Sequence, residues 1–253
     1  GIDNIAAMAR RLGLGEAFDV PMSAVAEGLV PDRDWKARTR GAEWRIGDTV
    51  NASIGQGYVL SSPLQLAVMT ARLATGRAVS PRLVKSIDGV ETPPRTGTPL
   101  GLNENNLRRI RQAMYSATNN RRGTAFRSRI VGEAMAMAGK TGTSQVRNIT
   151  AAERRAGVVR NEDLPWNRRD HALFVNFAPF DAPRIAVAVV VEHGGGGSTA
   201  AAPIARDVTL QALYGDDPPL EAYPAADRSR IRAQQDRLRR EREADEREGQ
   251  GRA

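Results

Sequence analysis

Ala138-Gly139-Lys140-Thr141-Gly142-Thr143-Ser144-Gln145-Val146 is the stretch on which the reading of the chain turns. Lys140 is one of only three lysines among 37 basic residues, the others being Lys36 and Lys85. Upstream, Ala134-Met135-Ala136-Met137 alternates small and large apolar residues, which is a strand period. Downstream, Ser144-Gln145-Val146 keeps the chain extended. A strand over these residues places Lys140 and Gly142 on one face and Thr141 and Thr143 on the other. A cation, two hydroxyls and a glycine that admits another chain make an anion-binding edge.

Three readings of the stretch compete. Gly139-Lys140-Thr141 matches the tail of a phosphate-binding loop, but that motif needs a glycine where Ala134 stands and a helix after the lysine. Lys-Thr-Gly-Thr is also the strand motif of penicillin-binding proteins and class A β-lactamases. The third reading is a surface strand end with a lone lysine, because short motifs recur by chance.

The 253 residues suffice for one large domain or two small ones. The chain opens on Gly1, as expected of a fragment or a processed chain. Its longest strongly apolar run, Ile185 to Val191, is too short to span a bilayer, and no signal peptide is visible. Without cysteine there is no disulfide or thiol chemistry. Two histidines far apart, His171 and His193, do not make a histidine-rich metal site. Of the net charge of +8, residues 215–253 contribute −1 (9 arginines, 10 acidic residues) and residues 1–214 contribute +9. The densest basic cluster is Arg108, Arg109, Arg111, Arg121, Arg122, Arg127 and Arg129. It lacks the interleaved aromatics of a single-strand binder, so it reads as a solvated surface and no nucleic-acid partner is expected.

Taken in order, Asp3 is expected to cap a first helix with Ile5, Met8 and Leu12 on one stripe, ended by Gly13 and Gly15. Residues 16–47 read as loop, anchored by Trp35 and Trp44. Gly55-Gln56-Gly57 begins like a dinucleotide fingerprint but has Leu60 at the third glycine position, so it reads as a tight turn. Ser62 and Pro63 open a core helix with Leu64, Ala67, Val68, Ala71 and Leu73 on its buried face. Residues 77–100 suggest a strand pair, and Asn103 caps a helix that fades near Asn119-Asn120. Residues 147–169 form a polar excursion. His171–Ala178 and Ile185–Val191 are expected as an antiparallel hairpin, the second strand buried on both faces. Ala200 to Leu213 form an alanine-rich helix. Residues 215–253 form a charged tail, an exposed helix or a disordered segment, with so little to bury that its loss should leave the fold intact.

In this order and spacing the segments resemble the transpeptidase domain of class B penicillin-binding proteins, within them the penicillin-binding protein 2 group. The resemblance covers about residues 1–213. It rests on Trp44 through Gly57, Ser62 through Ala67, Gly123-Thr124-Ala125, Lys140 through Val146, Phe174 through Pro179, and Glu192 through Ala202-Pro203-Ile204. It implies an α+β fold of the penicillin-binding protein and serine β-lactamase type, a central antiparallel sheet flanked by helices. The implied activity is D,D-transpeptidation, a serine acyl transfer that cross-links peptidoglycan stem peptides, is acylated by β-lactams and needs no cofactor. Lys140 is implied as a catalytic residue. Thr141, Gly142 and Thr143 are implied in binding the D-Ala-D-Ala end, with the Thr143 backbone amide as one oxyanion donor. The resemblance also implies a cell-elongation glycosyltransferase partner, and a site on the periplasmic face of the bacterial inner membrane through an anchor absent from this chain. The sequence departs from the family in having no Ser-x-x-Lys and no Ser-x-Asn. It is therefore expected to be the C-terminal part of the enzyme and inactive alone. The alternative is a non-catalytic sensor or scaffold module of the elongation machinery.

Overall fold

A computed structural model describes residues 1–93 and 96–250. The middle of the molecule is a three-stranded antiparallel sheet in the order β3-β4-β5: β3 Ala138–Ser144, β4 His171–Ala178 and β5 Ile185–Val191. Lys140 lies opposite Val175 and Thr141 opposite Phe174, so alternate residues of each strand face opposite layers. Helices α4 (Pro63–Thr75) and α5 (Glu104–Asn119) cover one face, where Ala138 and Phe177 meet Ala74 and Met114. Helix α7 (Ala202–Tyr214) covers the other, where Ala172 and Phe174 meet Ala201, Ala202 and Ala205. There the buried Asn176 amide donates to Thr209 Oγ1 at 2.8 Å. Alanines at the contact let helix and sheet approach closely.

The helix ends that local chemistry specifies form where expected. Ser62 caps α4 in a reciprocal capping box with Gln65, Pro63 fills the first turn, and Gly76 closes it at φ +70°. Asn103 Oδ1 accepts from Asn106 N at the head of α5. The strand pair in residues 77–100 shrinks to β1 (Ser86–Ile87) and β2 (Val90–Glu91), and the polar excursion between β3 and β4 carries one short helix, α6 (Ala151–Ala156).

Other expectations are corrected. Helix α1 (Ile2–Arg11) buries Ile2 and Ala6 and leaves Ile5 and Met8 exposed. Asp3 does not cap it but pairs with Arg33 at 3.3 Å. The stripe is rotated because only one side of this helix meets the body. Within the supposed loop, Asp32 caps α2 (Arg33–Arg40) and Gly41 closes it, and α3 (Ile46–Ser53) follows. Helix α2 has no apolar stripe to announce it, and the apolar residues of α3, Ile46 and Val50, stay exposed; caps and the Lys36–Asp48 ion pair hold the two. Of the face expected of α4 only Val68 is buried; Leu64, Ala67, Ala71 and Leu73 are half-buried, and Gln65, Thr70, Arg72 and Ala74 are the other buried positions. Gln65 donates to the carbonyls of Glu16 and Glu27, tying the N-terminal segment across the helix. Strand β5 has helices on both faces, yet each of its residues is only half-buried, since it is an edge strand among the described residues.

Nor is the tail without buried residues. Ala222, Tyr223 and Ile231 join the core under α7, and Val131 N donates to Ala222 O at 2.8 Å. Beyond Ile231, helix α8 (Arg228–Gln250) is mostly exposed; the last residues of the tail lie outside the described residues.

One lysine is a structural cation. Lys36 Nζ lies 2.6 Å from Asp48 Oδ2, with both side chains largely buried, and the rings of Trp44 and Tyr58 lie 5.9 Å away. The Lys36 hydrogen bond, with that of the Arg45 amide, lowers the Asp48 pKa below its ordinary value. A depressed carboxylate pKa contributes stability above the unfolded pKa of about 4. That stability is lost as pH falls through the lower folded value. Asp48→Asn is thus expected to destabilise the chain at neutral pH, the gap to wild type closing in strong acid. Urea melts at both pH values check this; an unchanged gap in acid contradicts it.

Candidate active site

Strand β3 is the other edge of the described sheet, and its first residues are fixed from behind. Thr118 Oγ1 and Asn119 Nδ2, in the last turn of α5, donate to Met137 O at 2.7 and 2.9 Å. Gly139 is required by packing: a Cβ there would lie 2.4 Å from the Phe174 ring. At the other end the turn after β5 closes over the strand, and a Cβ on Gly197 would lie 2.5 Å from Gly142 O. The strand is therefore held rigidly while its side chains emerge into solvent. Burial falls along it, from buried Ala138 and Gly139 to exposed Lys140 and Thr143, with Thr141, Gly142 and Ser144 between.

Lys140 is on the face toward α4 and α5. There it lines a groove of about 710 Å³ whose walls include Met69, Leu73, Ile110 and Met114. Its ammonium donates to its neighbour's carbonyl, Thr141 O, at 2.7 Å, and it makes no ion pair among the described residues. Thr141 and Thr143 share the opposite face, as their spacing requires. Gly142 lies between them, the position of its absent Cβ 3.2 Å from Leu173 Cβ.

The structure adds Thr124, which the motif reading gave no role. Its Oγ1 lies 3.4 Å from Thr141 Oγ1. Gly123 makes this possible, because a Cβ there would lie 2.4 Å from Ala117 O. Gly123-Thr124-Ala125 was visible as a family segment, but no local signal says that it meets a strand 17 residues later. The histidines pack against each other. His193 N donates to His171 Nδ1 at 2.9 Å, and the edge of Trp166 lies against His193 at 4.5 Å.

A cation, hydroxyls and an open strand edge beside an apolar groove can hold an extended peptide by its main chain and receive a terminal carboxylate. The chain as a whole is similar to known proteins. The chain is 36% identical over 207 residues to "Peptidoglycan D,D-transpeptidase MrdA" of Acinetobacter baumannii, a match of 79% of this chain and 30% of that protein. It is 32% identical over 230 residues to the protein of the same name from Haemophilus influenzae, covering 88% and 34%. This chain thus spans about a third of the length of these curated relatives. Among solved structures it resembles Pseudomonas aeruginosa PBP2 in complex with WCK 5153, with a TM-score of 0.68, 37% identity, and 84% of this chain and 42% of that one covered. It also resembles PBP2 in a complex with MreC from Helicobacter pylori, with a TM-score of 0.67, 31% identity, and 85% and 36% covered. The model of the penicillin binding protein transpeptidase domain matches residues 1–210, from the first helix through most of α7, and this chain belongs to that family.

Proposed function

We propose that the chain is the substrate-strand part of a peptidoglycan D,D-transpeptidase. The observation that supports this most directly is Lys140 at a free sheet edge, beside an apolar groove and without an acidic partner among the described residues. A donor peptide ending in D-Ala-D-Ala pairs with β3. The hydroxyls of Thr141 and Thr143 hydrogen-bond its terminal carboxylate, and Thr124 orients the Thr141 hydroxyl. Lys140 supplies positive potential and assists proton transfer. The Thr143 backbone amide donates to the oxyanion that develops at the attacked carbonyl. Gly142, on the Lys140 face, keeps the approach to the nucleophile clear.

No Ser-x-x-Lys occurs in these 253 residues, so the acyl-accepting serine has to come from outside this sequence. The apolar groove next to Lys140 suits a helix that carries it. Membrane anchorage at the periplasmic face, and elongation partners such as a glycosyltransferase or an MreC-like protein, belong to this proposal for the whole protein. The 253-residue chain, incubated with a fluorescent penicillin and run on a denaturing gel, is expected to show no covalent band. The same chain extended upstream through a Ser-x-x-Lys is expected to show one. A stable band on the chain alone overturns this assignment. No band on the extended protein favours the non-catalytic sensor or scaffold.

A further inference from the structure

We propose that α8 is a pairing surface for a second copy of this chain, the two α8 helices lying antiparallel about an axis beside Leu238. The transpeptidase model matches residues 1–210, so this helix lies beyond the matched domain. It is nonetheless fixed to the body. Arg206 pairs with Asp227, Gln235 Nε2 donates to Pro218 O at 2.8 Å, and Arg242 lies 2.6 Å from Asp216. Its outward face is therefore held in a set position relative to α7.

Between the two helices runs a trough of about 330 Å³. Ile204 and Val208 of α7 and Leu238 of α8 line it, yet they remain 45%, 46% and 41% exposed. Along α8, Arg230, Gln234, Arg237, Leu238, Glu241 and Asp245 recur at helical spacing, which puts them on one strip. All six are exposed, and Gln234 and Leu238 border the trough.

The charge along α8 is polarised. Residues 228–240 hold six arginines and one acidic residue, and residues 241–250 hold five acidic residues and two arginines. Arg237 is neutralised within its own helix by Glu241 at 3.6 Å. Arg230 and Asp245, at the two ends of the strip, make no ion pair among the described residues. A partner of one charge sign is repelled by half of such a helix. A reversed copy of the same helix is attracted along its length. Antiparallel pairing sets Arg230 against the partner's Asp245 and Gln234 against the partner's Glu241, each twice by symmetry. Leu238 falls at the centre, where it enters the partner's trough beside Ile204 and Val208. The small apolar centre and charged flanks make the pairing sensitive to salt. Helices α7 and α8 lie on the sheet face away from the Lys140 groove, so pairing leaves that groove open.

Sedimentation equilibrium of the 253-residue chain is expected to show a dimer that weakens at least about 10-fold from low to high salt. Arg230→Glu with Arg237→Glu makes the strip acidic, and Glu241→Arg with Asp245→Arg makes it basic. Each double variant alone is expected to be monomeric, and their equimolar mixture to dimerise. Circular dichroism checks that these exposed substitutions keep the fold. The chain has no cysteine, so a single introduced one reports geometry. Leu238→Cys should cross-link to itself under mild oxidation. Ala244→Cys should not, since the two copies of that position lie about 20 Å apart along antiparallel helices. The proposal is overturned by a wild-type chain that stays monomeric up to about 1 mM, or by a dimer indifferent to salt. A dimer formed by either double variant alone, a mixture that stays monomeric, or equal cross-linking at the two positions overturns it as well. The wild-type and cysteine measurements stand even if a charge variant misfolds.

Discussion

Lys140→Ala, in the protein extended upstream to include its nucleophile, is expected to slow β-lactam acylation by roughly 100- to 10,000-fold, the usual loss for one positioned acid–base group. The side chain is exposed and its one hydrogen bond goes to the adjacent carbonyl. Nothing in the fold leans on it, and removing a side chain of that kind changes stability by about 0.5 kcal/mol or less. The defect should therefore lie in the acylation rate and not in folding. Thr143→Ala should be milder, because the proposed oxyanion donor is its backbone amide and survives the change. Stopped-flow acylation of wild type and both variants, with circular dichroism as the folding control, separates the effects. Wild-type acylation by a well-folded Lys140→Ala protein would mean that this strand is not the wall of the active site.

Arg206→Ala is expected to give the largest loss of stability, about 3–5 kcal/mol, the cost of breaking a buried ion pair from one side. The Arg206 side chain is fully buried beneath α7. Its Nε lies 2.8 Å from Asp207 and its Nη1 2.5 Å from Asp227, and the Tyr223 ring packs 5.1 Å from the guanidinium. The arginine thus joins α7 to the segment that leads into α8. Truncation leaves two carboxylates without their counter-charge and opens a cavity against Tyr223. For a chain of this size the thermal midpoint should fall by roughly 10 °C. Removing both ends of the Asp227 arm, as Arg206→Met with Asp227→Asn, should cost less than the sum of the single changes, because only Asp207 is then left without its counter-charge. A wild-type melt for Arg206→Ala would show that the C-terminal segment is not pinned through this residue.

Arg206 also marks where sequence reading stops. An arginine in an alanine-rich helix reads as solvent-facing, and a tail of balanced charge reads as having nothing to dock. Only the packed molecule shows that Asp227 and Tyr223 return to meet Arg206. The half-buried state of β5 is of the same kind. Its run of branched apolar residues announces a core strand, but the exposure of its edge depends on which strands lie beside it.

What the sequence alone determined is whatever is written in neighbouring residues. Ser62-Pro63 and Asn103 set the heads of α4 and α5, because a cap acts within one turn of the helix it starts. Alternation and branched residues marked β4 and β5, and Pro179 through Pro183 the turn between them. The motif Lys140-Thr141-Gly142-Thr143, with segments in the family's order, named the family before any coordinates. What only the tertiary structure decided is which distant groups share a space. Thr124 reaches Thr141, Lys140 lines an apolar groove, Asp170 lines a pocket that begins at Gln145, and Arg206 finds Asp227. Each of these contacts closes a long loop of chain. Its energy comes from burial and charge pairing across that loop, and no local pattern records it.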